Sequence, residues 1–191
     1  MRPLNPTEAK RLAREWRRRT DGRVALLLDN VQNPFNVGSI ARTAAALRVE
    51  HLYLVGTTPP PNHPSARKTG LGTERYLTWS EHGSAPEAAA AAKEAGFTVV
   101  GLELTANAVP IQSADFGGDV CLAIGHEDRG LSSVALAACA SVAYVPLLGK
   151  VGSLNVAAAT SIALYEVRRQ HWELGSGGDG VEGDADPVSD G

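Results

Sequence analysis

The chain has little cysteine: Cys121 and Cys139 are the two in 191 residues. Two thiols, one in a strand-like apolar run and one in an alanine-rich stretch, build neither a disulfide framework nor a four-ligand zinc site, and both read as small buried hydrophobes. The five histidines show no H-x-x-x-H or H-E-x-x-H spacing, which argues against a helix-borne zinc site, and His126 reads as structural rather than as a ligand. No G-x-S-x-G elbow or Walker loop is present, so neither a serine-hydrolase turn nor a P-loop is available. No apolar run reaches the roughly 20 residues that a membrane helix needs, and the Arg-rich start is not followed by an apolar segment. A cytoplasmic location is the default expectation. After Trp172 there is no Lys or Arg, only the acids Glu173, Asp179, Glu182, Asp184, Asp186 and Asp190. Removing those six from a net charge of −3 leaves residues 1–172 at +3.

What is present is ordinary for a soluble globular protein, with 43% hydrophobic and 20% charged residues and enough length for one sizeable core. The composition divides the chain into a basic helical extension over 1–21, a central domain over 22–172 and an acidic, disordered tail over 173–191. A formal G-x-G-x-x-G at Gly175, Gly177 and Gly180 is not a dinucleotide fingerprint. No strand precedes it and no helix follows to hold a pyrophosphate.

A helix over 5–19, capped by Asn5 or Thr7, puts Leu12 and Trp16 on one face, a weak docking surface. Between Arg2 and Arg23 the basic residues include Lys10, Arg11, Arg14, Arg17, Arg18 and Arg19, against Glu8, Glu15 and Asp21. Such a run neutralises phosphates or is simply a solvated face. The apolar run VALLLD over 24–29 suits a strand buried on both sides. A loop with Asn30, Asn33 and Asn36 leads to a helix over 36–47 and a second strand over 51–56. Residues 57–64 are proline-rich and read as irregular. Residues 66–78 read as a polar loop in which Arg67, Lys68 and Arg75 either contact phosphates or face water. An alanine-rich helix over 85–95, strands over 97–104, 120–125 and 142–147, and a short helix over 132–138 follow. The last helix, entered through Gly149 and Gly152, is apolar on nearly every face up to Glu166, which calls for burial. Strands alternating with helices predict an α/β fold, a mostly parallel sheet with helices on both faces.

Three polar clusters follow strand ends: Asn36 with Gly38 and Arg42, Gly125 with Glu127 and Gly130, and Ser153 with Asn155. Ligand sites in parallel sheets gather at the carboxyl ends of strands, so the clusters are expected to converge. Each has a plainer reading. Ser153 and Asn155 can be helix caps, and Arg42, among Ile40, Ala41, Ala44 and Ala45, can pair with Asp29, Glu127 or Asp128 or lie on the surface.

The segments that carry these clusters, NPFNVGSIARTA (33–44), LAIGHEDRGLS (122–132) and VPLLGKVGSLNVAAA (145–159), resemble the three motifs of the SpoU, or TrmH, family of RNA 2′-O-ribose methyltransferases in the SPOUT superfamily. The resemblance covers about residues 22–170. It implies a deep trefoil knot in the C-terminal part, about Leu122 to Glu166, an exception to the rule against knotted chains. It implies S-adenosylmethionine as methyl donor, with its adenosine held largely by backbone at Leu102, Gly125, Val145 and Leu154, and no metal. Arg42 would be the catalytic arginine, as proton acceptor or electrostatic stabiliser, Asn36 its positioning partner, and Glu127, Ser153 and Asn155 the rest of the reaction centre. A homodimer would pack the helices of the first and third motifs across a two-fold axis.

RNA capture is expected from the Arg-rich helix, represented by Arg11, Arg14 and Arg18, and from Arg67, Lys68 and Arg75, with tRNA favoured over rRNA. The alternative is a non-catalytic RNA-binding protein that keeps the fold. A nucleotide-binding oxidoreductase would need a glycine-rich loop after the first strand, where this chain has NVQNPFN.

Overall fold

The first buried strand, β1 (Val24–Asp29), is apolar along its whole length because both of its faces are covered. Val24, Leu26 and Leu28 enter one core cluster, and Ala25 and Leu27 enter another on the opposite side of the sheet. The computed structural model describes residues 1–176. In chain order the elements are α1 (Pro6–Arg18), β1, α2 (Pro34–Ala46), β2 (His51–Val55), α3 (Pro64–Gly70), β3 (Thr78–His82), α4 (Ala85–Glu94), β4 (Thr98–Leu102), β5 (Val109–Pro110), β6 (Val120–Ile124), α5 (Ser133–Ala138), β7 (Ser141–Tyr144) and α6 (Val156–Ser176). The seven strands lie in the order β3-β2-β1-β6-β4-β7-β5, and each strand pair is parallel. Residues of α2 and α6 belong to the core on one face, and those of α4 and α5 to the core on the other.

The order matters for function. From β1 the chain proceeds to β2 and β3 on one side, whereas β6 pairs with β1 on the other. The loops after β1 and β6 therefore diverge, which opens a crevice at their carboxyl ends.

Residues 66–78, read above as a polar loop, instead contain most of α3, a 3-10 turn over Thr73–Tyr76 and the start of β3. Both α3 and β3 hide in the sequence for physical reasons. Pro64 does not break structure here because it sits in the first turn of α3, where its missing N–H has no partner to lose, and the His63 side chain accepts from the Ser65 amide. The helix is fixed from outside: a Cβ on Gly38 of α2 would lie 2.0 Å from the Ala66 carbonyl oxygen, so only glycine lets the two helices touch. Strand β3, TWSEH, is a half-exposed edge strand without apolar alternation. Polar pairing holds it, with His51 contacting Thr78 and Ser80 at 2.9 Å.

The other differences concern α1 and α6. As expected α1 has no buried residue, and it opens on a capping box between Asn5 and Glu8. Trp16 rests on Trp172 at 4.9 Å between ring centroids, and the Trp172 indole N–H donates to Thr20 Oγ1 at 2.8 Å. The last helix is buried along one side only. Ala157, Thr160, Ala163, Leu164 and Val167 face the core, while Ala158, Ile162 and Tyr165 are exposed. It also runs to Ser176, past the expected tail start at 173; residues 177–191 lie outside the described residues. Its buried Arg168 donates to the carbonyls of Leu47, Gly22 and Arg48 at 2.9, 2.6 and 2.7 Å, tying α6 to the end of α2 and the entry of β1.

Candidate active site

Two adjoining clefts open at the carboxyl ends of the central strands. The larger, about 700 Å³, lies over the ends of β4, β6 and β7, and its wall includes Leu102, Gly125, Val145 and Leu154. All four positions expected to touch a methyl donor thus line one cavity. Its size falls within the roughly 300–1,000 Å³ of small-molecule sites. The second cleft is polar and shares His126, Glu127, Asp128, Ser153 and Leu154 with the first. It adds Asn33 and Asn36 from the β1–α2 segment and Asn155 from the start of α6.

A chain of hydrogen bonds joins the three sequence clusters. The Asn155 amide donates to Asn36 Oδ1 at 3.0 Å, and the Asn36 amide donates to Glu127 Oε1 at 3.0 Å. Each end is anchored to backbone. Asn155 Oδ1 accepts from the Ala157 and Ala158 amides, which makes it the cap of α6. Glu127 accepts from the Asn33 amide at 3.0 Å and the Gln32 amide at 3.2 Å. Partial burial would push the Glu127 carboxyl up. The Asn36 side chain and backbone donors outweigh it, and the carboxyl lies below its ordinary range. Glu127 is therefore an ionised acceptor at neutral pH, suited to orienting Asn36 and unable to donate a proton.

The loop between β6 and α5 is equally constrained. His126 and Gly130 exchange backbone hydrogen bonds of 3.0 and 2.9 Å, and His126 Nδ1 accepts from the Asp128 amide. A Cβ on Gly125 would lie 2.1 Å from the Gly130 carbonyl carbon and the Leu131 amide nitrogen. That close backbone approach is the cradle a glycine permits.

Two acids that the sequence reading did not assign to the site hold this loop. Glu103 accepts from the Leu131 amide at 2.9 Å, and the buried Asp29 accepts from the Ser132 amide at 2.8 Å. Asp29 ends β1 and Glu103 directly follows β4, and that placement was the available signal: an acid at the end of a buried strand needs donors nearby.

Ser153 lines both clefts and makes no hydrogen bond among the described residues. Arg42 is not brought into the cluster of its own chain. It is exposed on α2, lines neither cleft, and pairs with none of Asp29, Glu127 or Asp128. Arg11, Arg14 and Arg18 are exposed on α1, with Arg11 3.9 Å from Glu15. Lys68 is exposed beside Arg67, which pairs with Glu74 at 2.9 Å, and the Arg75 guanidinium lies 4.7 Å from the Tyr76 ring centroid. Among the described residues no three His, Cys, Asp or Glu side chains gather as a metal site, and no helix is long and apolar enough to cross a membrane.

The sequence matches the SpoU rRNA Methylase family model over residues 23–165. The chain belongs to the SpoU family. It is 35% identical over 151 residues to the 23S rRNA (guanosine-2′-O-)-methyltransferase RlmB of Acinetobacter baylyi, covering 78% of this chain and 61% of that protein. It is 33% identical over 170 residues to the tRNA (guanosine(18)-2′-O)-methyltransferase of Thermus thermophilus, covering 88% of this chain and 87% of that one. Among solved structures, the SpoU methyltransferase AviRb from Streptomyces viridochromogenes in complex with AdoMet superposes with a TM-score of 0.71 at 29% identity, over 78% of this chain and 58% of AviRb. This SpoU chain thus spans less than two thirds of RlmB and of AviRb. The mostly parallel α/β sheet is that of its SpoU neighbours.

Proposed function

We propose that this chain transfers the methyl group of S-adenosylmethionine to a ribose 2′-hydroxyl of RNA. The observation that carries the reading is the Asn155–Asn36–Glu127 hydrogen-bond chain at the mouth of a donor-sized cleft. Bound in the larger cleft, S-adenosylmethionine would supply an electrophilic sulfonium methyl. Leu102, Gly125, Val145 and Leu154 would hold it, and the pinched backbone at Gly125 gives that cleft a fixed wall. The reading includes the trefoil knot over residues 122–166 and action in the cytoplasm.

The residues around the second cleft have distinct tasks. Glu127 fixes the orientation of Asn36, and Asn155 fixes it from the other side, so the Asn36 amide cannot rotate freely. Ser153, without an internal partner, is available to a ligand. The attacking 2′-oxygen must shed its proton, and Arg42 is the group assigned to accept it or to stabilise the negative charge. Because Arg42 lies outside the cluster of its own chain, a two-fold dimer that pairs α2 and α6 is part of the proposal. The exposed Ala158, Ile162 and Tyr165 stripe on α6 supports it, since a dimer would cover that apolar face.

RNA would be held by Arg11, Arg14 and Arg18 on α1 and by Arg67, Lys68 and Arg75. We favour tRNA over rRNA, because the match to the tRNA-modifying relative extends over 87% of that protein and the match to RlmB over 61%. The test is transfer of labelled methyl from S-adenosylmethionine into unmodified tRNA and rRNA, digested to nucleosides, with Arg42→Ala in parallel. A labelled 2′-O-methylnucleoside from tRNA, lost in the variant, is expected. No incorporation into either RNA by a folded protein that binds the donor would overturn the reading in favour of a non-catalytic RNA-binding protein.

A further inference from the structure

A third cleft of about 460 Å³ lies away from the candidate active site, at the amino-terminal edge of the sheet, and five arginines line it, Arg17, Arg18, Arg23, Arg48 and Arg168, against two acids, Asp21 and Glu50. Two of its cations are already occupied. Arg168 is spent on three carbonyls, and Arg23 pairs with Asp119 and Glu50 at 2.8 and 3.3 Å. Arg18 belongs to the RNA-contacting set proposed above. The guanidinium groups of Arg17 and Arg48 have no hydrogen-bond or ion-pair partner among the described residues. Arg17 closes α1, where a cation complements the helix dipole, so on its own it needs no ligand. Arg48 follows the C-cap Leu47 of α2 and feels a helix dipole too; what sets it apart is its backbone.

Arg48 sits at φ 56°, the left-handed region that asparagine or glycine occupies at less cost. Its carbonyl is pinned there by Arg168 at 2.7 Å, and its own guanidinium is left exposed in a cleft that is already basic. The repulsion registers beneath it: burial, and then the Arg48 charge, push Arg168 down to about 10, so it stays charged at neutral pH. Lys10, Arg14, Arg17 and Arg18 fall on one side of α1 at helical spacing, and the last two of them line the cleft. Trp16, on a different face, docks the helix on Trp172.

We infer that this cleft is a second RNA contact, gripping backbone phosphates through Arg17 and Arg48, distant from the methyl-transfer site. Arg23 precedes β1 and the candidate site follows it, so the two are separated by about the length of a six-residue strand, on the order of 20 Å. A mononucleotide cannot bridge that span and a polynucleotide can. The inference rests on the RNA reading above.

The experiment measures binding of an unmodified tRNA transcript by full-length protein across a salt series, for the wild type and for Arg17→Gln combined with Arg48→Asn. Asparagine tolerates the left-handed backbone and leaves the carbonyl to Arg168; Arg48→Gly is the second variant should that one misfold. The slope of log affinity against log salt is expected to shrink by about 1.5, the loss of two phosphate contacts. Wild-type binding with an unchanged slope in a folded variant overturns the cleft and leaves the RNA reading standing. Absence of RNA binding by the wild type overturns both. Inorganic phosphate and polyglutamate are titrated in parallel. If either displaces RNA from the wild type but not from the variant at equal charge concentration, that is expected of a phosphate or polyanion subsite. A variant that loses polyglutamate binding but keeps its RNA affinity would reassign the cleft to an acidic polypeptide.

Discussion

Changing Glu127 to Gln tests whether the site is held together by an ionised acceptor. In the native chain the two carboxylate oxygens take three donors: the Asn36 amide, the Asn33 backbone and the Gln32 backbone. Glutamine keeps one acceptor oxygen, which can serve Asn36 and Asn33. Its amide then faces the Gln32 N–H, donor against donor. One charge-assisted hydrogen bond is lost and two are weakened. A single such bond is worth about 1.5–3 kcal/mol when sheltered, and the partial exposure of Glu127 discounts the total to about 1–2 kcal/mol. With a urea m-value of about 2 kcal/mol per molar, the midpoint should fall by roughly 0.5–1 M at pH 7.

The pH dependence gives the sharper check. The folded-state pKa of Glu127 is depressed, so its ionisation stabilises the fold above the unfolded-state pKa. That contribution disappears as pH falls through the folded-state value. The gap between wild type and variant should therefore be full at pH 7, shrink below the ordinary carboxyl range and close in acid. Methyl transfer by the variant should fall with little change in donor affinity, because Glu127 acts on Asn36. Equal midpoints at pH 7, or a gap that widens on acidification, would refute the reasoning.

Two other substitutions probe the walls of the site and its scaffold. Gly125→Ala places a Cβ 2.1 Å from backbone atoms of Gly130 and Leu131, where no side chain can swing aside. It should cost about 2–3 kcal/mol and abolish S-adenosylmethionine binding, read by thermal unfolding and calorimetric titration. Arg168→Ala leaves the carbonyls of Leu47, Gly22 and Arg48 without their donor. A loss of about 3–5 kcal/mol is expected in denaturant unfolding, against a negligible change for Arg42→Ala, whose side chain is exposed and unpartnered.

The sequence by itself determined the parallel sheet and the order of its chemistry. A run such as VALLLD has no polar position to turn to water, so it must be covered on both faces, and Asn36, Glu127 and Asn155 could be placed after strand ends without coordinates. Local rules sufficed there because each signal lies within a few residues. What only the tertiary structure decided are contacts between distant residues. The polar strand β3 exists through pairing with His51, and α3 through a helix approach that Gly38 permits. Glu103 and Asp29 act on amides 28 and 103 positions away. The identity of the α6 cap was settled in the same way, in favour of Asn155. Arg42 shows the opposite case: its motif position suggested a reaction centre, but it is exposed and lines neither cleft of its own chain, because which face of α2 meets the clefts is fixed by packing against α3 and α6. The basic cleft beneath β1 was invisible for the same reason. Arg17, Arg48 and Arg168 are far apart in the chain, and only folding brings three guanidinium groups to one place.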